Sequence, residues 1–231
     1  FGIGLLPPNP VSHRETVNAI RLHFRNWVTK GIEPPPSRFP TMAATPSYPT
    51  GTLALADKQS IGFPTLPGLR PTIPEPDFIM PVIDYVWGPQ FDVMDATGVP
   101  TNTPPHIKRV LPMYAPKVDA DGNELGGVPV VLLDAPLGTY LGWNITADGA
   151  KPFHKGQICD YVGGMIPFAK TAEERRKNND PRLSLEERYG SHEGYVQAVQ
   201  KAASRAVTEG FLLPVDAQAL IKAADSSAVL R

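Results

Sequence analysis

What this chain lacks narrows its chemistry first. No serine stands in a G-x-S-x-G elbow, the strained turn that lifts a nucleophile above an α/β sheet. There is no G-x-x-x-x-G-K phosphate cradle and no strand–G-x-G-x-x-G–helix unit, so no cofactor is expected. A single cysteine, Cys159, forbids an internal disulfide and leaves the redox compartment open. The charges nearly cancel, to −1 over 231 residues, so nothing argues for nucleic acid or an anionic membrane as partner. No apolar stretch is long enough to span a bilayer, and no secretory signal is visible. The first residue is Phe1 rather than Met, which reads as processing, a fragment or an incomplete sequence. A removed signal stays open, and the compartment with it.

Proline is abundant instead, with 27 residues beside 20 glycines. Together they make up about a fifth of the chain, below the share of a low-complexity segment. They imply short, irregular connections rather than a regular βαβ succession. The expected class is a soluble, mixed α+β chain: a Pro-rich irregular arm, a few short strands and a C-terminal helical part.

Four segments follow. Residues 1–32 open with a Gly/Pro-rich lead-in, Phe1–Val11, that cannot be regular helix. A helix then begins at Ser12, with Ser12 and Glu15 at capping-box spacing. Val17, Ile20, Phe24, Trp27 and Val28 share one face, which has to be buried against something. Gly31 and Pro34-Pro35-Pro36 end it. Residues 33–116 form a Pro-rich wrapping arm in which only Thr52–Ala56 and Phe78–Val86 suggest strands, and Tyr85, Trp87 and Phe91 should hold it on a body.

Residues 117–170 are short-stranded. Lys117–Leu125 reads as two strands joined at Asp121-Gly122. Asp119, Asp121 and Glu124 invite a calcium reading, but the further ligands of an EF-hand loop are absent, and a plain turn is preferred. Val128–Asn144 is the stretch around which the rest is organised. Its Val/Leu run reads as a buried strand, with a buried helical piece as the alternative. Pro136–Asn144 then reads as a Gly/aromatic loop, and Tyr140, Trp143 and Asn144 become candidate substrate-binding residues, since each carries a polar tip. Core packing is the competing role, above all for Trp143. Ala147–Gly156 is polar and loop-like, and Gln157–Ala169 is short and apolar.

Residues 171–231 are helical. Thr171 with Glu174 and Ser184 with Glu187 have capping-box spacing. Gly190 stops one helix, and Ser191 caps the next, whose stripe is Tyr195, Val199, Ala202, Ala203 and Ala206. Gly210 stops that helix, and Pro214 opens a last one carrying Leu220 and Ile221.

Other tempting groupings read more simply. Ser191-His192-Glu193 adjoin on a helix start and point in different directions, so they form no triad. His192-Glu193 begins H-E-x-x-H, but position 196 is Val. His13, His23, His106 and His154 have no metal-ligand spacing, with each other or with Cys159, so no metal site is expected. His13 near a helix start is either a general base or a surface residue of the cap, with the cap preferred. Arg175-Arg176-Lys177 beside Glu173 and Glu174 reads as a solvated helix face.

Across these segments the chain resembles the C-terminal part of a family of bacterial α/β-hydrolase-domain proteins. The residues that carry the resemblance run in the family's order: Trp27–Pro40, Val118–Glu124, Pro136–Asn144, Ile166–Thr171, Asp180–Ser191 and Gly210–Ala217. The resemblance implies an α/β-hydrolase fold in the complete protein. It places the nucleophilic serine and the catalytic histidine before Phe1. It also implies that the helix at Ser12 packs on the hydrolase sheet. This chain itself then holds no catalytic residue.

Two function classes stay open. In one, the chain supplies scaffold, pocket wall and cover to an esterase- or amidase-like serine hydrolase. Its partners are then the N-terminal catalytic portion, from the same precursor or a separate chain, and a small-molecule substrate. In the other, it is a non-catalytic structural or interaction subunit.

Overall fold

The computed structural model describes residues 4–40, 53–55, 61–66, 82–144, 146 and 163–231. His154, Cys159 and the polar stretch 147–156 lie outside these residues.

The helical tail forms from local signals. Helix α3 (Ala172–Lys177) is capped by Thr171, whose hydroxyl accepts from Glu174 N, and α4 (Leu185–Tyr189) has the full reciprocal box between Ser184 and Glu187. Gly190 ends α4 at φ 69°, where a Cβ is disfavoured. Ser191 then caps α5 (His192–Thr208) by accepting from Gly194 N at 3.2 Å. Pro214 sits in the first turn of α6 (Pro214–Asp225). The expected α5 stripe is buried in full, and Ala202, Ala203 and Ala206 let α6 approach closely. Adjoining His192 and Ser191 serve structure: the buried His192 ring contacts the carbonyls of Val229 and Asp225.

One correction falls at Val128–Leu133, read from sequence as a buried strand. Val130 is extended, and then Val131–Asp134 form a one-turn helix, α2. Packing decides it: Val131 and Ala135 join the α5–α6 core, and Asp134 reaches Arg205 at 2.5 Å. The strand comes later. Gly138–Leu141, read as loop, form β5, paired antiparallel with Gly164–Pro167 (β6). Gly138 is needed there, since a Cβ would stand 2.5 Å from Ile166 O. The lead-in adds a third edge: Met165 N donates to Pro7 O and Asn9 N to Gly163 O, both at 2.9 Å. Leu66, Leu141 and Ile166, with Leu6, Phe63 and Trp143, form a second small core there.

The N-terminal half is looser. Helix α1 (Arg14–Lys30) starts later than its spacing suggests, with His13 at the N-cap and Ser12 Oγ accepting from Arg14 N at 3.1 Å. Gly31 ends it in the left-handed region. Its apolar stripe, expected to be buried, is exposed. Leu53–Leu55 (β1) pairs with Tyr114–Pro116 (β4), and Val82–Val86 (β2) with His106–Leu111 (β3). Of the expected strands, residues 52, 56 and 78–81 lie outside the described set. Among the described residues, Tyr85, Trp87 and Phe91 stack on one another, at 5.7 and 5.6 Å.

Candidate functional site

The three sequence candidates sit on and just after β5. Thr139 and Leu141 point to one side of the strand and Tyr140 to the other. Tyr140 is 6% exposed, and its hydroxyl accepts from Leu137 N at 3.0 Å. Burial pushes that hydroxyl's pKa up to about 12. Asn144 is 1% exposed and acts as a substitute peptide group: its Oδ1 accepts from Leu6 N at 3.1 Å and its Nδ2 donates to Leu6 O at 2.9 Å. Trp143 is half-buried against the second core. Trp143 and Asn144 therefore meet the lead-in, while Tyr140 faces the helical body.

Residues not singled out as candidates hold this wall in place. The turn at Asp121-Gly122 forms as expected, but the two strands expected in Lys117–Leu125 shrink to one isolated bridge between Val118 and Glu124. The turn is held by Asp119 Oδ1, which accepts from Asp121 N and Asn123 N, both at 2.9 Å. It delivers Asn123, which is buried. Asn123 Nδ2 donates to Gly138 O at 3.1 Å, and its Oδ1 accepts from Tyr140 N at 2.8 Å, so one side chain extends the edge of β5.

On the neighbouring face lies Arg182, 4% exposed, with all five guanidinium protons used. Nε and Nη2 form a fork on Asp180, Nη1 donates to the Thr139 hydroxyl and to Ile166 O, and Nη2 also donates to Pro167 O. Burial alone raises the Asp180 carboxyl, but the Arg182 bonds more than offset this and its pKa is lowered. The guanidinium groups of Arg182 and Arg188 both stand over the Phe168 ring, and Arg188 pairs in turn with Asp121. Arg175, expected on a solvated face, lies 2.9 Å from Glu187 and links α3 to α4. The only sequence signals for this knot are an Asn after a turn glycine and an Asp and Arg flanking Pro181.

Away from this wall, a cleft of about 380 Å³ opens between the Gly126–Val130 segment, Asp134, Arg205, Glu209 and Arg38. Its charges form a ladder: Asp134–Arg205 at 2.5 Å, Arg205–Glu209 at 3.9 Å and Arg38–Glu209 at 3.2 Å. Burial is the main cause that raises the Asp134 carboxyl, helped by Glu209 and opposed by Arg205. Among the described residues, the cleft lining holds no serine, cysteine, lysine or histidine. His23 contacts the carbonyl of Gly210 at 2.8 Å, and His13 is an exposed N-cap. Among the described residues no serine hydroxyl is hydrogen-bonded to a histidine ring.

A sequence model of the α/β-hydrolase domain matches residues 4–222. The chain belongs to the α/β-hydrolase domain family. No curated protein and no solved structure matches it. The match spans the lead-in, α1, the arm, β5–β6 and most of α6, so this family's scaffold covers both the helical body and the looser half. No helix among the described residues is long and apolar enough to cross a membrane.

Proposed function

We propose that this chain is the scaffold and pocket-wall portion of a serine hydrolase of the α/β type, acting on a carboxylic ester or amide of a small molecule. The attacking serine and its histidine come from a catalytic portion outside these residues, on the same precursor or a separate chain. The observation that carries this reading is the family match over residues 4–222, in a chain whose described serines and histidines form no nucleophile–base pair.

In such a reaction the serine adds to the carbonyl as the histidine takes its proton. The C–O or C–N bond then breaks, and the histidine returns the proton to the departing alcohol or amine. Water, activated by the same histidine, hydrolyses the acyl-enzyme to the acid and free serine. Here the chain's part is to shape and dry the pocket. Of the three candidates on and after β5, Trp143 is the one with an open face for a substrate, and we assign it the wall. Tyr140 and Asn144 sit behind it and fix the backbone. In the assembled enzyme, Trp143→Ala should raise KM. Tyr140→Phe should leave kcat unchanged and cost about 1 kcal/mol of stability, for one hydrogen bond.

The test is a fluorophosphonate probe applied to the assembled enzyme. The reading requires a labelled serine outside this chain and none within it. Labelling of a serine of this chain contradicts it. Exposed apolar residues on α1 and on the β2–β3 arm favour the second reading, a non-catalytic interaction subunit. An assembly in which no serine is labelled would select that one.

A further inference from the structure

The cleft at the C-terminal end of α5 has no part in the reading above. Its volume of about 380 Å³ is within the range of small-molecule sites, and Trp143 is not among its lining residues. Val128, Pro129, Val130 and Leu133 give it an apolar side. Gly126 and Gly127 adjoin them, in the left-handed region at φ 84° and 83°, where a side chain is disfavoured. They leave bare backbone on the wall, and their carbonyls accept no hydrogen bond from any described residue.

The charge in the cleft is unbalanced. Arg205 and Arg38 are spent on the ladder with Asp134 and Glu209, two cations against two carboxylates. The turn brings two further carboxylates, Asp119 and Glu124, to the same cleft, and neither forms an ion pair among the described residues. Asp119 gives its Oδ1 to the turn amides, and Glu124 meets Val118 only through the backbone bridge. Four carboxylates and two guanidinium groups leave the lining at −2. The polarity of α5 acts in the same direction, since Arg205 and Glu209 stand at its C-terminal end, the end that favours a cation.

A bare metal ion does not suit this arrangement. Among the described residues no group of three or more His, Cys, Asp or Glu could hold one. The carboxylates are spread along the cleft, beside apolar side chains and free carbonyls. An organic cation matches that spread: its N–H groups find carboxylate and carbonyl oxygens, and its carbon stem finds Val128, Val130 and Leu133.

We propose that this cleft is a binding site for a small organic cation, an ammonium or guanidinium on an apolar stem. Asp119 and Glu124 take the charge, and the Val128–Leu133 side takes the stem. With no serine, cysteine, lysine or histidine among its described lining, the cleft holds its ligand and does not transform it. This binding does not depend on the hydrolase activity proposed above.

Three photo-reactive probes of one shape test it: benzylamine, benzyl alcohol and benzoate, each with a para trifluoromethyl-diazirine. They are applied to the native assembly, purified through a C-terminal tag placed on this chain at its own locus, and adducts are mapped by mass spectrometry. The amine should label residues 124–134 or 205–209 saturably, about tenfold above the alcohol, as for one or two charge-assisted hydrogen bonds. Excess plain benzylammonium should compete, and the benzoate should fall below the alcohol. Asp119→Asn with Glu124→Gln should abolish the preference for the amine. An asparagine Oδ1 still accepts from the turn amides, and unchanged amide exchange in α5 reports that the variant is folded. Arg38→Gln, which frees Glu209, should strengthen labelling by the amine. Equal labelling by amine and alcohol, stronger labelling by the benzoate, or labelling that does not saturate overturns the proposal. A preference for the amine that survives in the folded double variant also overturns it. Should that variant not fold, Arg38→Gln decides alone: unchanged or weaker labelling overturns the site.

Discussion

The body built from α2, α4, α5 and α6 and the half that carries α1 and the β2–β3 arm bury opposite kinds of residue. In the body, the apolar stripe of α5 is inside, and most helix ends are met by a side-chain cap, a glycine or a proline. In the other half, Phe24, Trp27, Ile107, Val110 and Met94 face out, and among the described elements β2 and β3 are held chiefly by each other. A two-stranded ladder alone is marginal in water. Among the described residues, the first region is held by a shared apolar core, and the second leaves much of its apolar surface open. Between them lies the β5 wall, fixed by Asn123 and Arg182 rather than by a large apolar core.

The strongest way to break this contrast is at Arg182. Arg182→Ala removes every partner of a buried fork and leaves the Asp180 carboxylate and two carbonyls without it. We expect a loss of about 3–5 kcal/mol in urea unfolding, as for other buried pairs cut on one side. Asn123→Ala strips Gly138 O and Tyr140 N of their buried partner and should cost about 2–3 kcal/mol. Ser184→Ala removes the cap of α4 and should cost about 1 kcal/mol.

A subtler signal comes from pH. The Ser184 backbone and hydroxyl, aided by Arg175, hold Glu187 down to about 2 from its ordinary 4.5. A carboxyl depressed in the folded state stabilises above its unfolded pKa, and that contribution is lost as pH falls through the folded one. Stability should therefore decline from about pH 4.5 towards 2, and Glu187→Gln should flatten that part of the profile. The smallest effect is expected at Trp27, which is 51% exposed: Trp27→Ala should cost the isolated chain less than about 1 kcal/mol. A loss of about 3 kcal/mol or more would mean that the indole is buried, and would erase the contrast.

How much of this was legible in the sequence follows the range of each signal. The caps at Thr171, Ser184 and Ser191, the stop at Gly190 and the stripe of α5 are set within a turn or two of helix, and they read correctly. Val128–Leu133 misled because a short apolar run suits strand and helix alike; contacts with α5 and Arg205, some 70 residues on, decide it. Gly138 resembled a loop residue, but its reason is a close strand, Ile166, that no local pattern announces. Tyr140, Trp143 and Asn144 were visible as a cluster, whereas their partners, Leu137, Leu6 and the second core, were not. The stripe of α1 was plain in the sequence. Which way it faces depends on Asn18 meeting Asp216 and His23 meeting Gly210, across nearly the whole chain.

Amide hydrogen exchange tests the division between a self-sufficient body and a looser half most directly. In the isolated chain, amides of α5 and α6 should exchange only through global unfolding, while those of α1, β2 and β3 open locally and exchange far faster. In the assembled enzyme, α1 should rise towards the protection of α5. Equal protection of α1 and α5 in the isolated chain, unchanged on assembly, would contradict the division.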